Sequence, residues 1–165
     1  MKAVIDINPE DRQERAEKLF MEGYNCCQAV LLAFEDILEA DRCTLLRVAS
    51  GFGGGMARMR EVCGTVSAMA MIAGFLSPAE DPSNMEQRKE NYALVQKFAT
   101  RFKEEKGSIV CREILGLRKP APGEAPESPM PSARTPEYYR TRPCAATVGL
   151  AAKIVAEYLK NEYIR

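Results

Sequence analysis

The chain has 165 residues, of which 46% are apolar and 28% charged, and its formal net charge is zero. This length fits one domain with a sizeable core, and the apolar fraction argues against intrinsic disorder. The balanced charge argues against a nucleic-acid-binding protein. No apolar run approaches the ~20 residues that span a bilayer, and the first residues lack the apolar core of a signal peptide. We therefore expect a cytoplasmic protein in which most thiols are reduced.

Helical spacing of apolar residues, with capping residues and glycine stops, predicts an all-α bundle of six or seven helices. We find no convincing strand and no internal repeat. The first predicted helix covers 9–22. The second follows an Asn25 cap and has apolar residues as far as Leu38, and a shorter third one follows an Asp41 cap. The remaining helices are predicted at about 60–75, at about 83–106, at 109–115 after a Ser108 cap, and from Pro143 to about 164.

The helix at about 60–75 is apolar on nearly every side, which predicts a central, buried position in a single domain covering 1–165. Residues 117–142 differ, because six prolines lie between Pro120 and Pro136. We expect an irregular loop before the last helix. This segment is either a flexible loop, which we favour, or a loop that covers some other part of the protein.

The sequence contains no histidine and six cysteines, so its chemistry is expected to depend on sulfur. The lack of histidine excludes Ser-His-Asp and Cys-His nucleophile pairs and histidine-containing zinc sites. Four predicted helices each carry a cysteine at the N-terminal end: Cys26 (followed by Cys27), Cys63, Cys111 and Cys144. Unpaired backbone N–H groups and the helix dipole favour a thiolate there.

These cysteines are therefore candidates for redox thiols, nucleophiles or metal ligands, although buried cysteines also pack as small apolar groups. Neighbours on a helix project about 100° apart, so Cys26 and Cys27 are not expected to face the same point. Cys43 lies inside a predicted helix and is expected to pack in the core.

Several motifs in order resemble the family named for its C…GCAxxG…C…C pattern, for which a redox role is inferred. The resemblance covers about residues 12–160 and rests on GYNCCQAV (23–30), SGFGGGM (50–56), VCGTVSA (62–68), CREILG (111–116) and the late cysteine at 144. Matched by motif, the four family cysteines are Cys26, Cys63, Cys111 and Cys144. Thr65 and Ala68 replace the family's Ala and Gly, and Cys27 is an extra thiol.

The resemblance also bears on cofactors. A related domain in split-Soret cytochromes implies an iron–sulfur cluster beside haem, but this chain has neither CxxCH nor histidine, so haem is not expected. The cofactor candidates are an iron–sulfur cluster or zinc held by the four family cysteines.

The glycine-rich loop feeds the helix that carries Cys63. It has no preceding strand, which argues against a dinucleotide-binding motif, and a turn using left-handed glycines is expected. Gly53, Gly54, Gly55 and Gly64 are the candidates for binding a cofactor or an anion through backbone amides. Arg58 and Arg60 are interpreted as surface residues, with the alternative that they act on a Cys63 thiolate.

Three functions remain open. The first is thiol–disulfide exchange or electron transfer, with Cys63 as the nucleophile and Cys26, Cys111 or Cys144 as its resolving partner. The second is a four-cysteine iron–sulfur or zinc centre, and the third is a non-enzymatic helical interaction module with core cysteines. A redox partner protein of unknown identity is expected, and the apolar helix faces permit a homodimer.

Overall fold

The computed structural model describes residues 7–163, and within them the fold is all-α. These residues form no β-strand and contain a 3-10 turn at Ser50–Phe52 and eight α-helices. In chain order the helices are α1 (Pro9–Met21), α2 (Cys26–Leu32), α3 (Arg42–Ala49), α4 (Gly64–Leu76), α5 (Met85–Lys106), α6 (Cys111–Ile114), α7 (Pro136–Thr141) and α8 (Cys144–Asn161). The predicted all-α bundle is confirmed.

Capping residues fix where several helices begin. The Asn25 side chain accepts a hydrogen bond from the Gln28 N–H (2.9 Å), and the Gln28 side chain accepts one from the Asn25 N–H (3.1 Å). This reciprocal capping box satisfies two N–H groups at the start of α2. It makes Cys26 the first residue of that helix.

Helix α4 occupies the core, as predicted. It packs against α2, α5 and α8, while α1 lies along α8. Ala68, Met69, Ile72 and Ala73 of α4 are fully buried. An apolar helix of this kind is stable only when its neighbours cover it on several sides.

Helix α4 begins at Gly64 rather than near residue 60 because several residues of the preceding loop adopt left-handed backbone conformations, which a right-handed helix cannot contain. The five consecutive residues 54–58 all have positive φ, between 48° and 70°, and Arg60 follows with 62°. Glycines at 54 and 55 tolerate this conformation, whereas each non-glycine residue pays about 1–2 kcal/mol. Backbone hydrogen bonds from the Arg60 N–H to the Gly54 oxygen and from the Glu61 N–H to the Gly55 oxygen close the loop.

Two other helices are shorter than predicted. Helix α2 ends at Leu32, and the apolar residues as far as Leu38 are buried in the turns that follow it. Helix α6 has four residues and starts only at Cys111, because Val110 is extended and forms a bridge with Val62.

The proline-rich segment 117–142 contacts the helical body at several points, as the alternative of a covering loop predicts. It contains α7, capped by Thr135, whose side chain accepts from the Tyr138 N–H. Arg58 donates to the Ser128 carbonyl oxygen (2.8 Å), and Arg134 donates to the Phe20 carbonyl oxygen (3.2 Å). The segment therefore contacts the body at Ser128 and at Arg134.

Among residues 7–163, no helix has the length and apolar character needed to cross a membrane.

Candidate functional site

The four family-motif cysteines lie at helix N-termini, as the sequence predicts. Cys26, Cys111 and Cys144 are the first residues of α2, α6 and α8, and Cys63 is the residue that caps α4. Positions far apart in the sequence thus share one structural role.

The same four cysteines line one cavity of about 60 Å³. Cys63 and Cys111 are buried in it, and Cys26 and Cys144 are partly exposed. Sequence reasoning expected Cys63 to be approachable because a glycine loop precedes it. That expectation is wrong, since Cys63 is only 6% exposed.

A single backbone bridge brings two of these cysteines together. Val62 pairs antiparallel with Val110. The Cys63 N–H donates to the Ile109 carbonyl oxygen (2.8 Å), and the Cys111 N–H donates to the Glu61 carbonyl oxygen (2.6 Å). Side chains alternate between the faces of extended backbone, so those of Cys63 and Cys111 emerge on the same face, opposite Val62 and Val110.

Two glycines allow close approach to cysteine side chains. A Cβ on Gly64 would lie 2.5 Å from the Cys26 sulfur and 2.6 Å from the Phe52 carbonyl oxygen. A Cβ on Gly55 would lie 2.6 Å from the Cys111 Cβ. Any side chain at these positions would push a cysteine out of place.

The other two candidate glycines, Gly53 and Gly54, lie against the start of α2. The Gly54 N–H donates a hydrogen bond to the Cys26 sulfur, which favours the thiolate and so acts to lower the Cys26 pKa. A Cβ on Gly53 would lie 2.9 Å from the Asn25 Cβ. A cofactor-binding role for the four glycines stays a prediction.

Burial is the largest cause of the shifts at three of the thiols, whose pKa values are raised and not lowered as expected for helix N-termini. Burial first, and the charge of a Cys63 thiolate second, raise the pKa of Cys26 to about 12 and that of Cys144 to about 11. The same two causes raise the pKa of Cys111. Cys63 therefore interacts electrostatically with all three other thiols.

Arg60 is buried beside these thiols, so its interpretation as a surface residue is wrong. It is 3% exposed, and its Nη1 lies 4.0 Å from the Cys111 sulfur. Its Nε and Nη2 donate to the two carboxylate oxygens of Glu127 (3.0 and 2.8 Å). The hydrogen bond to Glu127 raises the pKa of Arg60, and the hydrogen bond from Arg60 acts to lower the Cys111 pKa.

The proline-rich segment supplies three cavity residues that sequence reasoning missed: Arg134, Tyr138 and Arg142. Arg134 stacks on the Phe20 ring at 4.3 Å and donates to the carbonyl oxygens of Phe20 and Tyr24. The sequence pair Thr135-Pro136 is a cap followed by a proline at the first helical position, a signal that could have revealed α7. No local pattern could have placed the arginines over the thiols.

The two remaining cysteines lie outside this cavity. Cys27 is fully buried, and its sulfur lies 3.9 Å from the Met71 sulfur. Burial raises its pKa. Cys43 is exposed, so its predicted packing role is wrong.

The four thiols have the chemistry of an iron–sulfur or zinc ligand set. In the arrangement of residues 7–163, however, no group of three or more histidine, cysteine, aspartate or glutamate side chains could hold a metal ion. Metal ligation by Cys26, Cys63, Cys111 and Cys144 stays a prediction. The chemistry proposed below uses the thiols alone.

Comparison with protein families matches most of the chain to one family model. Residues 24–158, well over half of the chain, match the model of the family described as "Putative redox-active protein (C_GCAxxG_C_C)". The chain belongs to this family. No match was found among curated proteins or among solved structures.

Proposed function

We propose that the protein exchanges thiols and disulfides at one site formed by Cys26, Cys63, Cys111 and Cys144. The observation that carries the proposal is that four cysteines from four helix N-termini line a single cavity. Core cysteines that only pack have no reason to gather around one opening. Membership in a family described as redox-active supports the same chemistry.

The first thiol to react is Cys144. It is partly exposed, whereas Cys63 and Cys111 are buried. The positive charges of Arg142 and Arg134 act to lower the Cys144 pKa, against the effect of burial. A nearby guanidinium stabilises the thiolate, which is the species that attacks a disulfide.

Cys63 resolves the mixed disulfide. Among the neighbouring charges that raise the Cys144 pKa, that of Cys63 has the largest effect. The Thr65 hydroxyl lies 3.1 Å from the Cys63 sulfur, at the N-terminus of the 13-residue helix α4. This contact and the helix hold the Cys63 side chain at the cavity wall. Cys26 and Cys111, which also interact with Cys63, are the alternative resolving thiols.

The exchange balances as follows. The Cys144 thiolate attacks a substrate disulfide RSSR, forms a Cys144–SR bond and releases RS⁻. The Cys63 thiolate then attacks the Cys144 sulfur, forms the protein disulfide and releases the second RS⁻. Two protein thiols lose two electrons and two protons, and the substrate gains them as two thiols.

Trapping experiments test this order. Reduced protein is mixed with the neutral 2-hydroxyethyl disulfide, quenched and mapped by peptide mass spectrometry. We expect Cys63→Ser to accumulate the mixed disulfide at Cys144, and Cys144→Ser to lose most of the reaction. The exposed Cys43→Ser variant serves as the control and is expected to behave like the parent at the cavity. Modification confined to Cys43 would overturn the proposal.

A further inference from the structure

A groove of about 340 Å³ adjoins the thiol cavity and shares part of its wall. Arg60, Arg134, Tyr138 and Arg142 line both spaces. Arg58 is a fourth arginine of the groove. A substrate bound in the groove therefore lies next to the thiols.

The groove carries an excess of positive charge. Within the part of the chain that the structure describes, no aspartate or glutamate lines it. Glu127 lies outside the lining and pairs with both Arg58 (3.1 Å) and Arg60 (2.8 Å), so one carboxylate serves two guanidinium groups. Among residues 7–163, Arg134 and Arg142 make no ion pair with a carboxylate.

These two arginines are held in place without being neutralised. Arg134 is fixed by carbonyl oxygens and by the rings of Phe20 and Tyr138, and Arg142 lies over the Tyr138 ring at 4.8 Å. A guanidinium oriented in this way keeps donors for a carboxylate or phosphate. Positive charge lining a concave surface attracts anions and speeds their binding.

Resting on the proposed function, we propose that this groove binds the anionic group of a low-molecular-weight disulfide, with the sulfur–sulfur bond directed to Cys144. The volume lies at the lower end of the range for small-molecule sites, which is roughly 300–1,000 Å³. The substrate class is therefore a small disulfide that carries an anionic group such as a carboxylate; it takes two electrons and two protons from the cavity thiols and leaves as two thiols.

Three disulfides of similar length and different charge test the inference: 3,3′-dithiodipropionate (anionic), 2-hydroxyethyl disulfide (neutral) and cystamine (cationic). For each disulfide, the rate at which the cavity cysteines lose their free thiols is measured. This rate is divided by the rate at which the same disulfide reacts with 2-mercaptoethanol, which corrects for differences in the intrinsic reactivity of the three disulfides. We expect the anionic disulfide to exceed the neutral one about tenfold at low salt. This ratio should fall toward one at ~0.5 M NaCl because salt screens the charges.

Variants assign the effect to the groove. Arg142 acts to lower the Cys144 pKa and is also expected to bind the substrate. Arg142→Gln should therefore slow the reaction with every disulfide. The informative quantity is the ratio of the normalised rate with the anionic disulfide to that with the neutral one. We expect that ratio to fall about fivefold in Arg142→Gln and to recover in Arg142→Lys. The control is Arg47→Gln, which removes the same charge from an exposed residue of α3 that does not line the groove.

Two results would overturn the inference in distinguishable ways. Equal normalised rates for the anionic and neutral disulfides would show that the groove does not select anions, while thiol exchange itself would stand. Failure of all three disulfides to oxidise any cavity cysteine would remove the proposed function together with the inference.

Discussion

Replacing Gly64 by alanine tests the packing between α4 and the Cys26 thiol. The added methyl group would lie 2.5 Å from the Cys26 sulfur and 2.6 Å from the Phe52 carbonyl oxygen, and the oxygen belongs to backbone that moves little. Overpacking of this kind costs roughly 1–3 kcal/mol. We expect the melting temperature to fall by about 2–12 °C, since 1 kcal/mol corresponds to roughly 2–4 °C at this size.

Gly74→Ala is the matched control within the same helix. Gly74 is exposed, and apart from its chain neighbours and its own helix backbone, no heavy atom of residues 7–163 lies within 4 Å of its Cβ position. Alanine there gains helix propensity of up to about 1 kcal/mol and should raise the melting temperature. Differential scanning calorimetry of the reduced proteins measures both variants. Equal shifts for the two substitutions would refute the close approach of Cys26 to Gly64.

Two further predictions concern buried charge. The raised pKa values of Cys26 and Cys144 mean that the folded protein keeps protons which the unfolded chain releases above about pH 9. The unfolding free energy of the reduced protein, measured with urea at several pH values, should therefore fall as pH rises from 9 toward 12, by at most about 1.4 kcal/mol per pH unit for each thiol. A flat profile would contradict the burial of these thiols. Glu127→Gln leaves the buried Arg60 without its carboxylate and should cost about 1–3 kcal/mol in the same assay. Glu86→Gln, at an ion pair whose two side chains are both exposed, should change stability little, and equal effects would contradict the role of Glu127 in pairing the buried Arg60.

Local sequence signals predicted the helix starts that carry the cysteines. Asn25 places Cys26 at the first position of α2, and the stretch after Gly107 places Cys111 close to the start of α6. Capping involves neighbours within a few residues, so it can be read from the sequence. The same logic applied to Thr135 and Pro136 would have predicted α7.

Burial and long-range contacts could not be predicted in this way. The left-handed run at 54–58 delays α4, although Met56, Ala57 and Arg58 carry no local preference for positive φ. Whether a cysteine at a helix start has a raised or lowered pKa depends on burial by distant segments. Arg134 reaches Phe20 only because the proline-rich segment folds back over α1.

Mapping disulfides after mild oxidation tests the central claim most directly. Reduced protein is treated with one equivalent of hydrogen peroxide, which removes two electrons and two protons as two molecules of water form, and is then digested and mapped by mass spectrometry. The account predicts an intramolecular disulfide between Cys63 and Cys144, with Cys43 still free. Four free thiols at Cys26, Cys63, Cys111 and Cys144, or oxidation confined to dimers linked through Cys43, would contradict it.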